Sequence, residues 1–240
     1  MNINEDEIGG AAFLSHKGST AGDDVRQECR TSYMEKDQYI SISGTKLPHW
    51  HQDLKMQFVT FRLADSLPQS KLAELAAYKE EWEKQHPLPW SQETQEEYDH
   101  RIRVMCDKWI DQGYGSCILR NPDVRMLVED ALYYYDGKEY IVHYFVIMPN
   151  HVHALLSPIC GFKVIDSIGK VKGYTSHSIN KKMGTNGKIW QKSIFDRMVR
   201  DQENYEQYKA YIQNNPKFLS PNEFTLGGAA FLPHNDGTTI

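Results

Sequence analysis

Two histidines one residue apart, His151 and His153, stand in the apolar run YFVIMPNHVHALLSP, which spans residues 144–158. Side chains alternate across a β-strand, so the two imidazoles point to one face and Val152 points to the other. Ring nitrogens placed in this way can bind one metal ion, because imidazole is a common metal ligand. The other interpretation is a pair of histidines tolerated at the end of a core strand. The triplet alone does not separate the two interpretations.

A second pair of polar residues, Tyr211 and Asn215, lies near the end of the chain. In a helix, a spacing of four residues puts both side chains on one face, one turn apart. An amide oxygen can complete the coordination of a divalent ion, and a phenol beside that ion can attack a phosphorus centre. The four residues together therefore suggest metal-assisted chemistry on a phosphate.

The charge of the chain is unevenly distributed. The net charge is −5, yet residues 163–200 contain nine basic residues against two acidic ones, a local net charge of +7. Acidic residues concentrate instead in residues 78–99 and near the N-terminus. This segregation is typical of a surface that binds phosphates, although a solvated helix face gives the same pattern.

The elements that would hold these residues follow from periodicity and from turn signals. Strands are predicted at residues 56–64, 139–148 and 151–157, the last two joined as a hairpin through Pro149-Asn150. Helices are predicted at residues 70–85, 92–112, 121–136, 163–184 and 201–216. Asn121 and Asp201 are the expected N-caps of two of these helices, and Pro122 suits a first helical position. This order predicts an α+β fold in which an antiparallel sheet carries its helices on one face, ferredoxin-like in outline.

The cysteine pattern and the hydropathy of the chain bear on its location. The four cysteines are far apart in the sequence and include no C-x-x-C pair. This spacing favours reduced thiols over a disulfide framework or a zinc cage. No apolar run approaches the ~20 residues of a membrane helix, and the acidic, polar N-terminus does not look like a secretory signal. We therefore expect a cytoplasmic protein without a membrane partner.

Several segments, taken together, resemble the REP-associated tyrosine transposases, a branch of the single-tyrosine HUH nucleases. These segments are VIMPNHVHAL, IWQKSIFDRMVRDQENY and YIQNNP, with WHQDLKMQFVTFRLADSLP and DQGYGSCILRNPDVRMLVEDAL in the first half. The resemblance runs from about residue 50 to residue 216. In that family the two histidines and the amide, here His151, His153 and Asn215, hold a divalent ion, expected to be Mg²⁺ or Mn²⁺. The tyrosine, here Tyr211, attacks DNA.

The resemblance implies a division of the chain. Residues 50–218 would form the HUH transposase/nuclease domain, with a ferredoxin-like or RRM-like core and an acidic helical insert near residues 70–112. Residues 1–49 would be a polar N-terminal arm and residues 219–240 a C-terminal arm. The two arms share the sequence GGAAFL, within IGGAAFLSHKG and LGGAAFLPHNDG. The repeat suits an extended peptide that docks on a sheet edge or in a groove, although a duplicated coding segment without a role is equally open.

The resemblance also implies an activity and its partners. The protein would be a metal-dependent single-strand DNA endonuclease and transesterase that cleaves hairpin-forming repeat DNA. Tyr211 would form a 5′-phosphotyrosine and leave a free 3′-OH, so that strands can be rejoined. The expected partner is single-stranded or hairpin DNA, and the protein would be a monomer or a homodimer. Candidate contacts are Lys172, Lys181, Lys182, Arg197 and Arg200 for phosphates, and Trp190 or Tyr174 for base stacking.

Alternatives to this activity remain open. The protein could be a DNA-binding regulator of repeat hairpins with little or no catalysis, or a hydrolase of small phosphoesters. Only the transesterase forms a covalent adduct with DNA. Tyr205 and Tyr208 lack an asparagine four residues on and are interpreted as packing or DNA-contact residues. Trp190 could equally belong to the core, and no general base for Tyr211 can be named from the sequence.

Overall fold

A five-stranded antiparallel sheet forms the centre of the computed structural model, which describes residues 40–43, 49–52 and 54–228. Along the chain the strands are β1 (Ile40–Ser43), β2 (His49–Gln52), β3 (Gln57–Arg62), β4 (Tyr140–Ile147), β5 (His151–Pro158), β6 (Phe195–Met198) and β7 (Thr225–Gly227). The order in the sheet is β6-β3-β5-β4-β7, and β1 and β2 pair separately as a hairpin. β5 is therefore the central strand.

Five helices are present in the described part of the chain. They are α1 (Gln69–Gln85), α2 (Gln92–Ile110), α3 (Pro122–Tyr135), α4 (Val164–Met183) and α5 (Gln202–Asn214). The predicted N-caps are confirmed, because the Asn121 side chain accepts a hydrogen bond from the Asp123 N–H and Asp201 accepts one from the Asn204 N–H. Gly184 ends α4 in the left-handed conformation that glycine adopts without strain.

The β4–β5 hairpin is the most deeply buried part of the sheet. All eight residues of each strand are buried, because helices cover the hairpin on both sides. On one side α3 and α4 pack on Val152 and Ala154. On the other side Ile212 of α5 packs with Phe58 and Leu155. The predicted α+β class with an antiparallel sheet is confirmed, whereas α5 occupies the face opposite α3 and α4.

Helices α1 and α2 occupy the stretch that the resemblance assigns to an acidic helical insert. Their contact with the rest of the protein includes a small apolar cluster of Leu67, Trp109 and Ile110. The α2 N-cap is Ser91, whose hydroxyl accepts a hydrogen bond from the Thr94 N–H. The remaining contacts of α2 with the sheet domain are mainly polar, and they converge on the site described below.

The C-terminal copy of the repeated segment begins in the sheet. Leu226 and Gly227 lie in β7, which pairs with the outer edge of β4, so the sheet extends into the stretch that the sequence assigns to a C-terminal arm. A side chain at Gly227 would collide with the Phe145 ring, and one at Gly228 would collide with the His143 carbonyl. Glycine is therefore required at both positions, at Gly227 by the Phe145 ring and at Gly228 by the backbone of β4. Residues 1–39 and 229–240, which contain the rest of both copies, lie outside the described residues.

Replacing Gly228 with alanine is expected to destabilise the protein by about 1–3 kcal/mol. Its φ of +121° is a conformation that an L side chain rarely adopts, and the new methyl group would meet the β4 backbone. The free energy of unfolding from urea denaturation measures the effect. Gly187 is a matched control, because no atom lies within 4 Å of the position that a Cβ would take there; Gly187→Ala should change stability by less than about 0.5 kcal/mol. Equal stability of both variants would contradict the close fit of β7.

Within the described ranges, no helix combines the length and the apolar character needed to cross a membrane.

Candidate active site

The two histidines of β5 lie side by side on the face that α5 covers. Their ring centroids are 4.5 Å apart, and both side chains are almost completely buried. His153 also lies against the phenol of Tyr211, with ring centroids 5.1 Å apart at 73°. The same-face arrangement predicted from strand alternation is therefore what the structure contains, and the tyrosine of α5 stands next to it.

Each histidine is oriented through its Nδ1 atom. His153 Nδ1 is 2.7 Å from Thr60 Oγ1, its cross-strand neighbour on β3. His151 Nδ1 is 2.8 Å from Asn150 Oδ1. The Asn150 amide nitrogen donates to the carbonyls of Ile110 and Tyr114, so its oxygen must face His151 as an acceptor. His151 therefore carries its proton on Nδ1 and presents a lone pair on Nε2, as metal-binding histidines do.

Tyr211 and Asn215 share one face at the end of α5. Asn215 is the C-cap residue, and its N–H donates to the Tyr211 carbonyl at 2.9 Å. The Asn215 side chain lines the same cavity as His151. The helix thus brings the amide towards one imidazole and the phenol towards the other. The sequence spacing predicted only that these two side chains share one face of α5.

Four polar atoms of this cluster are buried without a regular hydrogen-bond partner. They are His151 Nε2, His153 Nε2, Asn215 Oδ1 and Tyr211 Oη. Buried polar atoms are normally paired, because leaving one unpaired costs about 1–3 kcal/mol. Two imidazole nitrogens and an amide oxygen are a donor set that a divalent cation accepts. The unpaired atoms therefore fit a metal ion held by His151, His153 and Asn215.

No group of three or more His, Cys, Asp or Glu side chains in the described ranges is arranged to hold a metal ion. A metal site here needs the Asn215 amide in addition to the two histidines. Asp111, the C-cap residue of α2, has its Oδ1 3.8 Å from His151 Nε2.

Burial keeps both imidazoles neutral. It lowers the pKa of His151 to about 3, an effect that Asn215 partly offsets. The pKa of His153 is also well below its ordinary value, chiefly because of burial and secondarily because of His151 and Arg103. A neutral imidazole has a free lone pair, so neither histidine needs to lose a proton before binding a metal at neutral pH.

Helix α2 brings three charged residues to the site, Arg103, Asp107 and Asp111. They are spaced four residues apart and therefore share one face of the helix. Asp107 and Tyr211 line one cavity, and the Tyr211 hydroxyl has no hydrogen-bond partner. Arg103 donates to His100 Nδ1 at 2.8 Å, and its Nε atom has no partner. These residues were not predicted from the sequence. Their regular spacing was the available signal, but that spacing does not indicate which surface they face.

Two cavities meet at Tyr211, one on each side of the α2 contact. The first, of about 460 Å³, is lined by Arg103, Asp107, Arg197 and Arg200 among others. The second, of about 530 Å³, is lined by residues that include Asp111, His151 and Asn215. Tyr211 and Gln207 line both cavities. The end of α2 therefore lies across a cleft that leads to the phenol from two directions.

The two predicted phosphate-binding arginines lie at this cleft, but each is already paired with a carboxylate of α2. Arg197 is 3.2 Å from Asp99, and Arg200 is 2.8 Å from Glu96. The pKa of Glu96 is lowered by its hydrogen bond from Gln92, with further contributions from Arg200 and Arg197. Two carboxylates of α2 thus occupy the positions next to these arginines that were predicted for phosphates.

The other predicted DNA contacts lie elsewhere. Trp190 is 4% exposed, packs edge-on against Phe61 and donates to Thr175 Oγ1; it belongs to the core, where no base can stack on it. Lys172 is also buried and donates to the Lys192 carbonyl, which makes it a structural residue.

Lys181 and Lys182 are exposed at the end of α4, on the other side of the sheet from the histidines. Lys182 forms an ion pair with Asp123 at 2.9 Å. The basic segment of residues 163–200 is therefore divided by the sheet instead of forming one surface.

The competing tyrosines pack on the sheet. Tyr208 stacks on Phe58 with ring centroids 4.5 Å apart, and Tyr205 lies at an angle to Tyr144. Of the three tyrosines of α5, Tyr211 is the one that contacts a histidine of β5.

Residues 119–215 match the family model described as "Transposase IS200 like". The matched stretch contains the two histidines, the tyrosine and the asparagine of the site. The resemblance to tyrosine transposases predicted from the sequence is confirmed, and this part of the chain is transposase-like. Residues 1–118 and 216–240, which include α1 and α2, lie outside the match.

Two solved structures are similar over most of the chain, at low identity. One is a REP-associated tyrosine transposase bound to a REP hairpin, with 13% identity, a TM-score of 0.39, and coverage of 77% of this chain and 73% of that one. The other is a candidate transposase from Deinococcus radiodurans R1, with 12% identity, a TM-score of 0.31, and coverage of 76% and 98%. Both proteins are too distant to bear on the chemistry of the site. No curated protein matches the chain.

Proposed function

We propose that the protein is a metal-dependent single-strand DNA endonuclease and transesterase of the HUH type, which cleaves DNA through a 5′-phosphotyrosine and can rejoin strands. The observation that carries this proposal is the cluster of unpaired buried atoms on His151, His153, Asn215 and Tyr211. If the two histidines were only core residues, each ring would have both nitrogens hydrogen-bonded, or its unbonded nitrogen would face apolar atoms. Here Tyr211 packs against His153, and Asn215 lines the same cavity as His151.

His151, His153 and Asn215 would hold the divalent ion, with Mg²⁺ or Mn²⁺ the candidates. Such an ion, when bound, withdraws charge from a phosphate oxygen and orients the phosphate as a Lewis acid. The protein's own contribution is the fixed direction of the two imidazoles, set by Asn150 and Thr60. Mutation of such supporting residues typically weakens metal sites by about 10–100-fold.

Tyr211 would attack the phosphorus of a phosphodiester. The new bond joins its Oη to the 5′-phosphate, and the bond to the 3′ oxygen breaks, leaving a 3′-OH. The phosphotyrosine retains a phosphodiester bond, so a second 3′-OH can reverse the step and join strands. The attack needs in-line geometry, which a flexible single strand can reach more readily than a duplex. We therefore propose single-stranded DNA or the single-stranded flank of a hairpin as the substrate.

Labelled DNA tests this proposal directly. The protein is incubated with Mg²⁺ and a pool of hairpins that carry randomised single-stranded flanks, labelled at either the 3′ or the 5′ end. The 3′ label should enter a band that survives SDS, and the 5′ label should leave as a shorter strand with a 3′-OH. Mass spectrometry should place the adduct on Tyr211. Cleavage without adduct would contradict the transesterase, and binding without cleavage would favour the DNA-binding regulator.

Removing the α2 carboxylates at the cleft should tighten DNA binding. In the Glu96→Gln/Asp99→Asn variant, Arg200 and Arg197 lose the partners that compete with phosphates. Partly exposed ion pairs contribute about 0.2–1 kcal/mol each, so affinity for a single strand should rise about 2–30-fold at low salt. The Glu80→Gln/Glu83→Gln variant makes the same charge change where the partners are lysines of α1. Affinity is measured by fluorescence anisotropy. An equal gain in affinity in both variants would show that the effect comes from the net charge and not from the two arginines.

A further inference from the structure

A third arginine, Arg103 of α2, lines the first cavity at Tyr211 together with Arg197 and Arg200. The other two arginines pair with carboxylates of α2, at 3.2 Å and 2.8 Å. Within the described ranges no such ion pair joins Arg103 to a carboxylate, although Asp107 lines the same cavity. Arg103 is therefore the arginine of this cavity whose charge is not paired inside the protein.

The guanidinium of Arg103 is also incompletely hydrogen-bonded. Its Nη2 donates to His100 Nδ1 at 2.8 Å. A guanidinium only donates, so His100 accepts through an unprotonated ring nitrogen and supplies no negative charge. The Nε atom of Arg103 is buried and has no hydrogen-bond partner. Charged groups that leave water are normally paired and hydrogen-bonded, so this guanidinium is suited to an anionic ligand that enters the cavity.

A phosphodiester at Tyr211 is the anion that fits this position. Tyr211 lines both cavities, whereas Arg103 lines the first, and His151 and Asn215 line the second. A phosphodiester has two non-bridging oxygens, and at the phenol one of them can face each cavity. The N–H groups of a guanidinium match phosphate oxygens in geometry and charge. Phosphoryl transfer spreads negative charge over these oxygens, so a cation on the side of the first cavity would favour the attack.

We propose that Arg103 binds a non-bridging oxygen of the scissile phosphodiester and stabilises the charge on it while Tyr211 attacks. This role rests on the proposed transesterase function. The bond from Tyr211 Oη to phosphorus forms as the bond from phosphorus to the 3′ oxygen breaks. The phenol loses its proton to water, and the 3′ oxygen leaves with the electron pair and takes a proton from water. Arg103 keeps all its protons and acts through charge and hydrogen bonds alone.

Substitution of Arg103 tests the proposal through the single-turnover rate of adduct formation. Arg103→Gln should lower that rate by about 10²–10³-fold, the usual loss when one preorganised donor to a transition-state oxygen is removed. Arg103→Lys keeps the charge without the planar fork and should recover part of the rate. Arg101 is the matched control, because it pairs with Glu97 on the side of α2 away from the cavity. Arg101→Gln should react at the wild-type rate.

Methylphosphonate DNA shows which atom Arg103 contacts. A methyl group in place of one non-bridging oxygen removes the charge of the scissile phosphate, and the two stereoisomers replace different oxygens. One isomer should slow the wild-type protein strongly and should not slow Arg103→Gln further, because that variant has already lost the contact. If both isomers slowed Arg103→Gln as much as they slow the wild type, Arg103 would not touch the scissile phosphate and the proposal would be overturned.

DNA binding by Tyr211→Phe gives a readout that does not depend on cleavage. Each phosphate contact to a single strand contributes about 0.7 to the slope of log affinity against log salt. Adding Arg103→Gln to this variant should lower the slope by about 0.7, and adding Arg101→Gln should not. An unchanged slope together with a lower melting temperature in Arg103→Gln would show a structural residue and would also overturn the proposal.

Failure of the proposed function and failure of this assignment give different results. A wild-type protein that forms no adduct with DNA would overturn the transesterase function itself. A wild-type adduct that forms equally fast in Arg103→Gln would overturn only the role of Arg103.

Discussion

Tyr211→Phe should abolish strand cleavage and adduct formation, lowering the rate by at least about a thousandfold. The substitution removes the single oxygen that would attack phosphorus and leaves the ring against His153 in place. The affinity for hairpin DNA should stay within about twofold, because the substitution removes one hydroxyl and no packing contact. Cleavage is measured in a single turnover with end-labelled DNA, and affinity by fluorescence anisotropy.

The same variant should fold at least as well as the wild type. The Tyr211 hydroxyl is buried without a regular hydrogen bond, so its removal relieves a desolvation cost instead of breaking a strong contact. Tyr205→Phe is the matched control on the same helix and should cleave normally, since Tyr205 packs against Tyr144 away from the histidines. Residual adduct in Tyr211→Phe, or an adduct mapped to Tyr205 or Tyr208, would show that Tyr211 is not the nucleophile.

Replacing either His151 or His153 with alanine should remove metal-dependent cleavage, with a loss of about a thousandfold or more in Mg²⁺ or Mn²⁺. A site of three protein ligands loses a third of its donors in each variant, and the remaining two hold a divalent ion weakly. Each change also leaves a cavity in a buried strand, so stability must be measured beside activity. His177, which lies on α4 on the other side of the sheet, is the control for the loss of an imidazole.

Metal binding can be followed without any substrate. A ligand that binds only the folded state raises stability by about 2.7 kcal/mol at a concentration one hundred times its Kd. The melting temperature of the wild type and of His177→Ala should therefore rise with Mn²⁺, and that of His151→Ala or His153→Ala should not. If either variant kept both the metal-induced rise and the cleavage, the two residues would be core histidines.

The parts of the fold that depend on local pattern were predictable. Strand alternation correctly placed His151 and His153 on one face, and the Asn121 and Asp201 caps marked two helix starts. A helix repeat of four residues correctly put Tyr211 beside Asn215. These relations involve neighbours along the chain, and the geometry of a single strand or helix is enough to determine them.

The electrostatic prediction was only partly useful, because charge in the sequence does not specify a side of the sheet. Arg197 and Arg200 do lie at the cleft, whereas Lys181 and Lys182 lie beyond the sheet on α4. Trp190 was open to either interpretation. Trp190 is buried against Phe61 because it pairs with Leu63, which directly follows β3. This contact joins residues more than a hundred positions apart.

The sequence by itself determined the antiparallel hairpin with its paired histidines, the helix with its tyrosine and asparagine, and the likeness to tyrosine transposases. Only the tertiary structure decided that α5 covers the histidine face, that α2 lies across the cleft, and that Asp107 and Tyr211 line one cavity. The physical reason is that each of these contacts joins surfaces far apart in the chain. The sequence shows that α2 is acidic, but it does not show which surface of the protein α2 contacts. That contact depends on the packing of the whole domain.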